Sequence, residues 1–220
     1  MTQPADEGRL VLPGRFRAVV FDMDGILLDS EPLWIKVFSE AAARYGGVYG
    51  DADRDGTLGL PLSGTARYLA EKVGIDADAM QAELAETMRA EYLAGPPLVA
   101  GAGALVAALM GVLPMAVATN TLGEVATRAL AASGLHGFGA VVSGADLGSP
   151  KPHPAVYLEA CRRLGAEPAE TIAFEDSAVG IRSAVDAGLT VVAVPQEGVD
   201  LSGAGAHILL RSLGDVVVRR

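Results

Sequence analysis

The chain has 220 residues, half of them hydrophobic but only 5% aromatic, so one large domain or a domain with an insertion can bury a core of mainly Ala, Val and Leu. Its formal charge of −10 argues against a nucleic-acid or membrane partner, since both require a basic face. The single cysteine, Cys161, cannot form an internal disulfide, and we interpret it as a buried thiol in a reducing compartment.

Two segments bear on targeting. The basic and apolar regions of a signal peptide are absent from the opening residues, MTQPADEGRL. Residues 98–122 carry no charge, but glycines and Pro114 divide the stretch, and we predict a buried helix followed by an interior strand. We therefore expect a cytoplasmic protein with no membrane partner.

Apolar runs of strand length recur along the chain. They cover residues 16–21, 115–118, 140–143, 171–174, 190–194 and 207–210. Helical patterns separate the later runs. Strands that are apolar on both faces and alternate with helices predict a parallel sheet covered on both sides. The predicted fold class is therefore α/β, with a Rossmann-like core.

The helices between these strands have readable ends. Thr121 to Glu124 matches a capping box, which predicts a helix from Thr121 to Gly134. Two further helices are predicted over residues 154–165 and 177–187, each followed or ended by a glycine.

Residues 31–97 differ from the rest of the chain. Helical patterns at 32–45, 63–73 and 78–93 are joined by Gly- and Asp-rich turns, and no clear strand interrupts them. We predict an all-helical unit over residues 31–97, inserted into an α/β core formed by residues 1–30 and 98–220.

Polar side chains follow four of the predicted strands. In strand order they are Asp22 and Asp24, Thr119 and Asn120, Lys151 in a loop, and Glu175 and Asp176. Because ligands bind at the carboxyl ends of parallel strands, we expect one site. Carboxylates about 4 Å apart repel by roughly 4 kcal/mol at an intermediate dielectric, so a cation is needed. Oxygen ligands without a His or Cys cluster select Mg²⁺.

A magnesium site with few protein ligands keeps positions open for phosphate oxygens. Thr119 and Lys151 are the predicted donors to a phosphoryl group, with Gly25 and Asn120 completing the cradle. Taken alone, each signal has a structural interpretation, such as an Asp-Gly turn, a strand end, a solvated lysine or a helix N-cap. Their occurrence at successive strand ends favours a shared site for a small phosphorylated metabolite.

These residues resemble the four motifs of the haloacid dehalogenase-like superfamily, in order and over the whole chain. The matching elements are Asp22-Met-Asp24-Gly25, Thr119 after an apolar strand, Lys151-Pro152, and Glu175-Asp176-Ser177 with Gly180. The segment FDMDGILLDSEPLW is similar to the branch that contains small-metabolite phosphatases and β-phosphoglucomutase, which carries a helical cap. The chain departs from the pattern at Pro150, an extra proline before the lysine, and at Thr121.

The resemblance implies a role for each residue. Asp22 is implied to be the nucleophile that forms an aspartyl-phosphate, and Asp24 the general acid and then the base that activates water. Thr119 and Lys151 are implied to stabilise the transferring phosphoryl group. The helical unit of residues 31–97 is implied to be the cap, which closes over the site and selects the substrate.

The resemblance also implies the metal ligands and a cap contact. The implied Mg²⁺ ligands are Asp22, the backbone carbonyl of Asp24, Asp176 and Glu175. Trp34 on the first cap helix is a candidate substrate contact, although a residue packed within an amphipathic helix is the structural alternative.

Several activities compete within this resemblance. A dehalogenase needs no acid at Asp24, because a leaving halide takes no proton. A β-phosphoglucomutase holds a second phosphate with a His and an Arg of its cap, where this chain aligns Trp34 and Leu62. We therefore expect a monomeric phosphatase of sugar or polyol phosphates, with the mutase as the alternative. A phospho-accepting signalling domain is a third hypothesis, but such domains are shorter and lack the second aspartate.

Overall fold

The computed structural model describes residues 9–57, 60, 62–196 and 198–219. These residues form two compact units, one from the segments up to Asp29 and from Pro97 onward, the other from Ser30–Pro96. In chain order the elements are β1 (Leu10–Leu12), β2 (Ala18–Phe21), α1 (Glu31–Arg44), α2 (Asp51–Thr57), α3 (Leu62–Val73), α4 (Ala77–Ala94), α5 (Ala102–Leu109), β3 (Met115–Thr119), α6 (Gly123–Ala132), β4 (Ala140–Ser143), α7 (Ala155–Leu164), β5 (Thr171–Glu175), α8 (Ala178–Asp186), β6 (Thr190–Ala193), β7 (Ile208–Leu209) and β8 (Val216–Val218).

The first unit is built on a parallel sheet. Within the described chain its strand order is β4-β3-β2-β5-β6-β7, and every pairing is parallel. The three central strands β3, β2 and β5 are buried along their whole length. The α/β prediction is confirmed.

The chain order of the strands reverses at β2. From β2 the chain adds β3 and β4 on one side, then crosses back to add β5, β6 and β7 on the other. In open α/β sheets such a reversal leaves a crevice at the carboxyl ends of the strands, where ligands bind. The β2–β5 boundary is fixed by register, with Phe21 opposite Phe174 and their rings stacked 5.3 Å apart.

Three local features of the structure differ from what the sequence predicted. The two-stranded pairing of β1 with β8 was not predicted, because it joins two three-residue runs from opposite ends of the chain. Helix α2 was interpreted as a turn, yet tertiary hydrogen bonds from Tyr68 and Lys72 to Asp53 stabilise it.

The prediction of a capping box at Thr121 is wrong. Helix α6 begins at Gly123, and no side chain of its N-cap residue bonds the first turn. The Thr121 hydroxyl instead donates to Asp24 Oδ2 at 3.3 Å. The first helical N–H, that of Gly123, donates to Asp146 Oδ2 at 3.2 Å, so a side chain distant in sequence supplies the cap.

The predicted ends of the other two helices are confirmed. Helix α7 follows Pro154 and ends at Gly165, and α8 follows Ser177, whose side chain accepts from the N–H of Gly180. Cys161 lies on α7 and is buried, as predicted. Among the described residues, no helix combines the length and apolar character needed to cross a membrane.

The second unit, Ser30–Pro96, consists of helices α1 to α4. An aromatic cluster packs within it: the Trp34 ring lies 5.6 Å from that of Phe38 and 6.5 Å from that of Tyr92. A second cluster is polar, since the buried Asp53 accepts from Tyr68 and from the backbone of Gly50. The prediction that these helices act as a cap stays a prediction.

Candidate active site

The centre of the site lies where β2 and β5 end side by side. The backbone N–H of Asp22 donates to Phe174 O at 2.9 Å, which continues the ladder one residue beyond β2. Asp22 therefore lies beside Glu175, the last residue of β5. Both side chains are buried, so two carboxylates share a region with little water.

Lys151 lies between these carboxylates. Its ammonium donates to Asp22 Oδ1 at 2.6 Å and to Glu175 Oε1 at 2.7 Å, and its side chain is only 5% exposed. Burial alone would lower the pKa of Lys151, but the charges of Asp22 and Glu175 raise it above its usual value. Lys151 is thus a fixed cation beside Asp22, the residue that the family resemblance implies to be the nucleophile.

The carboxylate of Glu175 is fully engaged by hydrogen bonds. Oε1 accepts from Lys151 and from the Tyr157 hydroxyl at 2.6 Å, while Oε2 accepts from the Ser177 hydroxyl at 3.1 Å and two backbone N–H groups. Gly180 makes room for it, since a Cβ there would lie 1.8 Å from Oε1. Glu175 is therefore held rigidly, and it holds Lys151 in turn.

Asp22, Glu175 and Asp176 form a possible ligand set for a cation. One oxygen from each lies within 4.8 Å of the others. Burial raises the pKa of Asp22 to about 8 against the opposing charge of Lys151, and burial raises the pKa of Asp176 to about 9. One ammonium does not balance three carboxylates, and the donors are all hard oxygens, so the residues present fit a divalent cation such as Mg²⁺.

The loop after β2 is shaped by Gly25. Its φ of +77° is the left-handed conformation that favours glycine, and a Cβ there would lie 1.8 Å from Asp176 Oδ2. The side-chain amide of Gln196 donates to the Gly25 carbonyl. The half-buried Asp24 accepts a hydrogen bond from Thr121, so its carboxylate is anchored to the loop after β3.

Thr119 and Asn120 end β3 on the other side of β2. Thr119 is buried, and its Oγ1 accepts from the N–H of Thr121 at 3.0 Å. Its hydroxyl proton can therefore be donated to a ligand. The Asn120 side chain bonds both backbone groups of Lys151, accepting from N at 2.8 Å and donating to O at 3.4 Å.

The structure thus gathers most of the predicted side chains into two hydrogen-bonded groups at the strand ends. In the first, Lys151 bonds Asp22, Asn120 and Glu175. In the second, Thr121 bonds both Asp24 and Thr119. Gly25 and Asp176 lie within contact range of each other. Trp34 belongs to the helical unit and packs there against Phe38.

Two further residues of the site were not predicted from the sequence. Gln196 follows β6, so its position after a fifth strand is a sequence signal that could have predicted it. Tyr157 lies on α7 and is fully buried; burial and the neighbouring Glu175 raise its pKa well above the usual value. Nothing in its sequence position separates it from an ordinary core aromatic residue.

Known proteins match this chain over most of its length. A family model described as haloacid dehalogenase-like hydrolase matches residues 19–194. The fructose-1-phosphate phosphatase YqaB of Escherichia coli is 33% identical over 82% of this chain and 97% of that protein. A phosphorylated carbohydrates phosphatase of Thermotoga maritima is 31% identical over 88% and 94%. Among solved structures, a T. maritima protein provisionally assigned as a β-phosphoglucomutase has a TM-score of 0.80 at 27% identity, covering 91% of this chain and 96% of that one.

Proposed function

Because the chain belongs to the haloacid dehalogenase-like hydrolases, we propose that it is a Mg²⁺-dependent phosphatase of small sugar or polyol phosphates, acting through an aspartyl-phosphate. The observation that carries the proposal is the position of Lys151, whose ammonium bonds Asp22 at 2.6 Å inside a buried acidic cluster. A fixed positive charge beside Asp22 supports its proposed role as the nucleophile. Phosphoryl transfer depends mainly on such positioning and charge stabilisation.

In the proposed first step, an oxygen of Asp22 attacks phosphorus while the bond to the leaving alcohol breaks. Asp24 gives its proton to the departing alkoxide, which is a poor leaving group without one. Lys151 and Thr119 donate hydrogen bonds to the phosphoryl oxygens as charge develops there. The step leaves Asp22 phosphorylated and Asp24 ionised.

In the second step, water attacks the phosphorus of the aspartyl-phosphate. Asp24, now a carboxylate, takes a proton from that water, and the bond between phosphorus and the Asp22 oxygen breaks. Inorganic phosphate leaves, and both aspartates return to their starting protonation states. The hydrogen bond from Thr121 keeps Asp24 oriented toward the site during both transfers.

The metal proposal rests on the charges of the site. Asp22, Asp176 and the backbone carbonyl of Asp24 would hold Mg²⁺, which when bound neutralises the phosphate charge and keeps the nucleophile ionised. Glu175 was also a predicted ligand, but both of its oxygens already accept hydrogen bonds. We propose that Glu175 acts chiefly by holding Lys151.

The substrate class is proposed from the relatives. The two phosphatases named above act, by their names, on fructose 1-phosphate and on phosphorylated carbohydrates. A mutase is the second candidate, since one structural neighbour carries that assignment. We propose hydrolysis because residues 30–96 contain no histidine, and Trp34 and Leu62 stand where the mutase resemblance calls for a His and an Arg.

The proposal is tested by a phosphate-release screen over sugar, polyol and nucleotide monophosphates, with Mg²⁺ or with EDTA. We expect Mg²⁺-dependent release from sugar or polyol phosphates, lost in Asp22→Asn. Asp186→Asn is the matched control, because Asp186 pairs with Arg182 on the exposed side of α8. Wild-type rates in Asp22→Asn would exclude the proposed nucleophile, and isomerisation of β-glucose 1-phosphate without hydrolysis would establish the mutase.

A further inference from the structure

The loop that carries Lys151 is fastened to the end of β3. The N–H of Gly144 donates to Thr119 O at 2.8 Å, and the N–H of Ser149 donates back to Gly144 O at 2.9 Å. Asn120 then closes the loop through two hydrogen bonds to the backbone of Lys151. The lysine that reaches Asp22 is therefore positioned from its main chain as well as from its ammonium.

The fit around the Asn120 amide is tight. A Cβ on Gly144 would lie 2.8 Å from Asn120 Oδ1 and 2.8 Å from the Cα of Pro150, both closer than real Cβ contacts. The amide, the bare backbone of Gly144 and the residue before Lys151 thus pack as one unit. Any substitution that separates them moves the backbone from which the lysine side chain extends.

The Asn120 side chain is committed to this task. Its Oδ1 accepts from Lys151 N and its Nδ2 donates to Lys151 O, so the two ends of the amide face the same residue. Asn120 is itself exposed, whereas Lys151 is buried. The amide therefore contributes little to the core and much to the placement of the lysine.

We propose that Asn120 is a positioning residue that acts on the transferring phosphoryl group through Lys151, and that Gly144 is required for the same contact. This inference rests on the proposed phosphatase function. It replaces the prediction that the Asn120 side chain binds phosphate itself. A displacement of about 1 Å at a catalytic group can cost on the order of 100-fold in rate.

A double-mutant cycle separates positioning from direct contact, because a residue that acts only through another has no effect once that other is removed. The variants are Asn120→Ala, Gly144→Ala, Lys151→Ala and the two double variants with Lys151→Ala. We expect each of the first two to lower kcat by about tenfold or more. In the Lys151→Ala background neither is expected to lower it further.

Inorganic phosphate provides a second readout that does not depend on turnover. Its affinity for the Mg²⁺-loaded protein, measured by titration calorimetry, is expected to fall in Asn120→Ala and to be the same in Lys151→Ala and the double variant. This comparison remains decisive if the protein hydrolyses no phosphomonoester, so failure of the proposed function and of this inference are distinguished. Thermal unfolding of each variant verifies that the protein is folded.

Ser143→Ala is the matched control. Its hydroxyl accepts from the N–H of Asp146 at 3.1 Å at the start of the same loop, whereas the backbone of Lys151 bonds the side chain of Asn120. We expect wild-type kcat and phosphate affinity. Additive losses in the Asn120→Ala/Lys151→Ala variant would show that Asn120 contacts phosphate itself, and wild-type behaviour of Asn120→Ala would show that the contact has no catalytic effect. Either result overturns the proposal.

Discussion

Gly180→Ala is a substitution for which helix propensity and the site geometry predict opposite signs. Gly180 lies in α8, where alanine ordinarily stabilises a helix by about 1 kcal/mol relative to glycine. Here the added Cβ would lie 1.8 Å from Glu175 Oε1 and 2.1 Å from Oε2. The carboxylate cannot remain in place, so its hydrogen bonds to Lys151 and Tyr157 must be lost or weakened.

The magnitude follows from what Glu175 holds. Hydrogen bonds to a charged group contribute about 1.5–3 kcal/mol each, and two of the bonds to Glu175 Oε1 are 2.6 and 2.7 Å long. Losing both exceeds the gain in propensity and gives a net destabilisation of about 3 kcal/mol. For a chain of this size that corresponds to a fall in Tm of roughly 6–12 °C. We also expect a large loss of kcat, because Lys151 loses one of its two carboxylate partners.

The assay combines thermal unfolding with phosphate release on the same preparations. Gly56→Ala is the control, since Gly56 also lies in a helix and the nearest atom to an added Cβ there is an ordinary 3.7 Å away on Tyr68. We expect that variant to be as stable as the wild type or slightly more so, with unchanged activity. A Gly180→Ala protein with wild-type Tm and kcat would refute the placement of the Glu175 carboxylate against α8.

Two further predictions concern pH. Burial raises the pKa of Asp22 to about 8 and that of Asp176 to about 9, so the folded metal-free protein binds more protons than the unfolded chain. In EDTA its Tm should therefore fall as the pH rises from about 5 to 9. Added Mg²⁺ should raise Tm more at pH 8 than at pH 5, and a Mg²⁺ effect that is independent of pH would contradict this prediction. Hydrogen bonds from Gly50 and Lys72 lower the pKa of Asp53 to about 2. Asp53→Asn should therefore lower Tm at neutral pH, and the difference from wild type should shrink as the pH falls from about 4 toward 2. An unchanged Tm at pH 7 would contradict this prediction.

The sheet was predictable because the burial of its strands is visible in their apolar sequences. β2, β3 and β5 are apolar on both faces, which only a sheet covered on both sides accommodates. The pairing of β1 with β8 was not predictable, since it depends on two short runs meeting from opposite ends of the chain.

For the site, residue types and strand ends indicated which side chains would lie near one another, but not which atoms would bond. Whether Thr121 caps α6 or bonds Asp24 depends on a residue 97 positions away. The contact of Tyr157 with Glu175 depends on which face of α7 meets the sheet. Such contacts are set by register and helix orientation, which local patterns leave open.

The central claim is that Asp22 becomes phosphorylated and that Asp24 supplies the proton transfers. Asp24→Asn with p-nitrophenyl phosphate tests both, because nitrophenolate leaves without a proton whereas hydrolysis of the aspartyl-phosphate needs a base. Rapid mixing should therefore give a burst of about one equivalent of nitrophenol per enzyme molecule, followed by slow turnover. Mass spectrometry of the quenched, digested protein should place the phosphate on Asp22. Steady turnover with no burst and no protein-bound phosphate, or phosphate on another residue, would contradict the account.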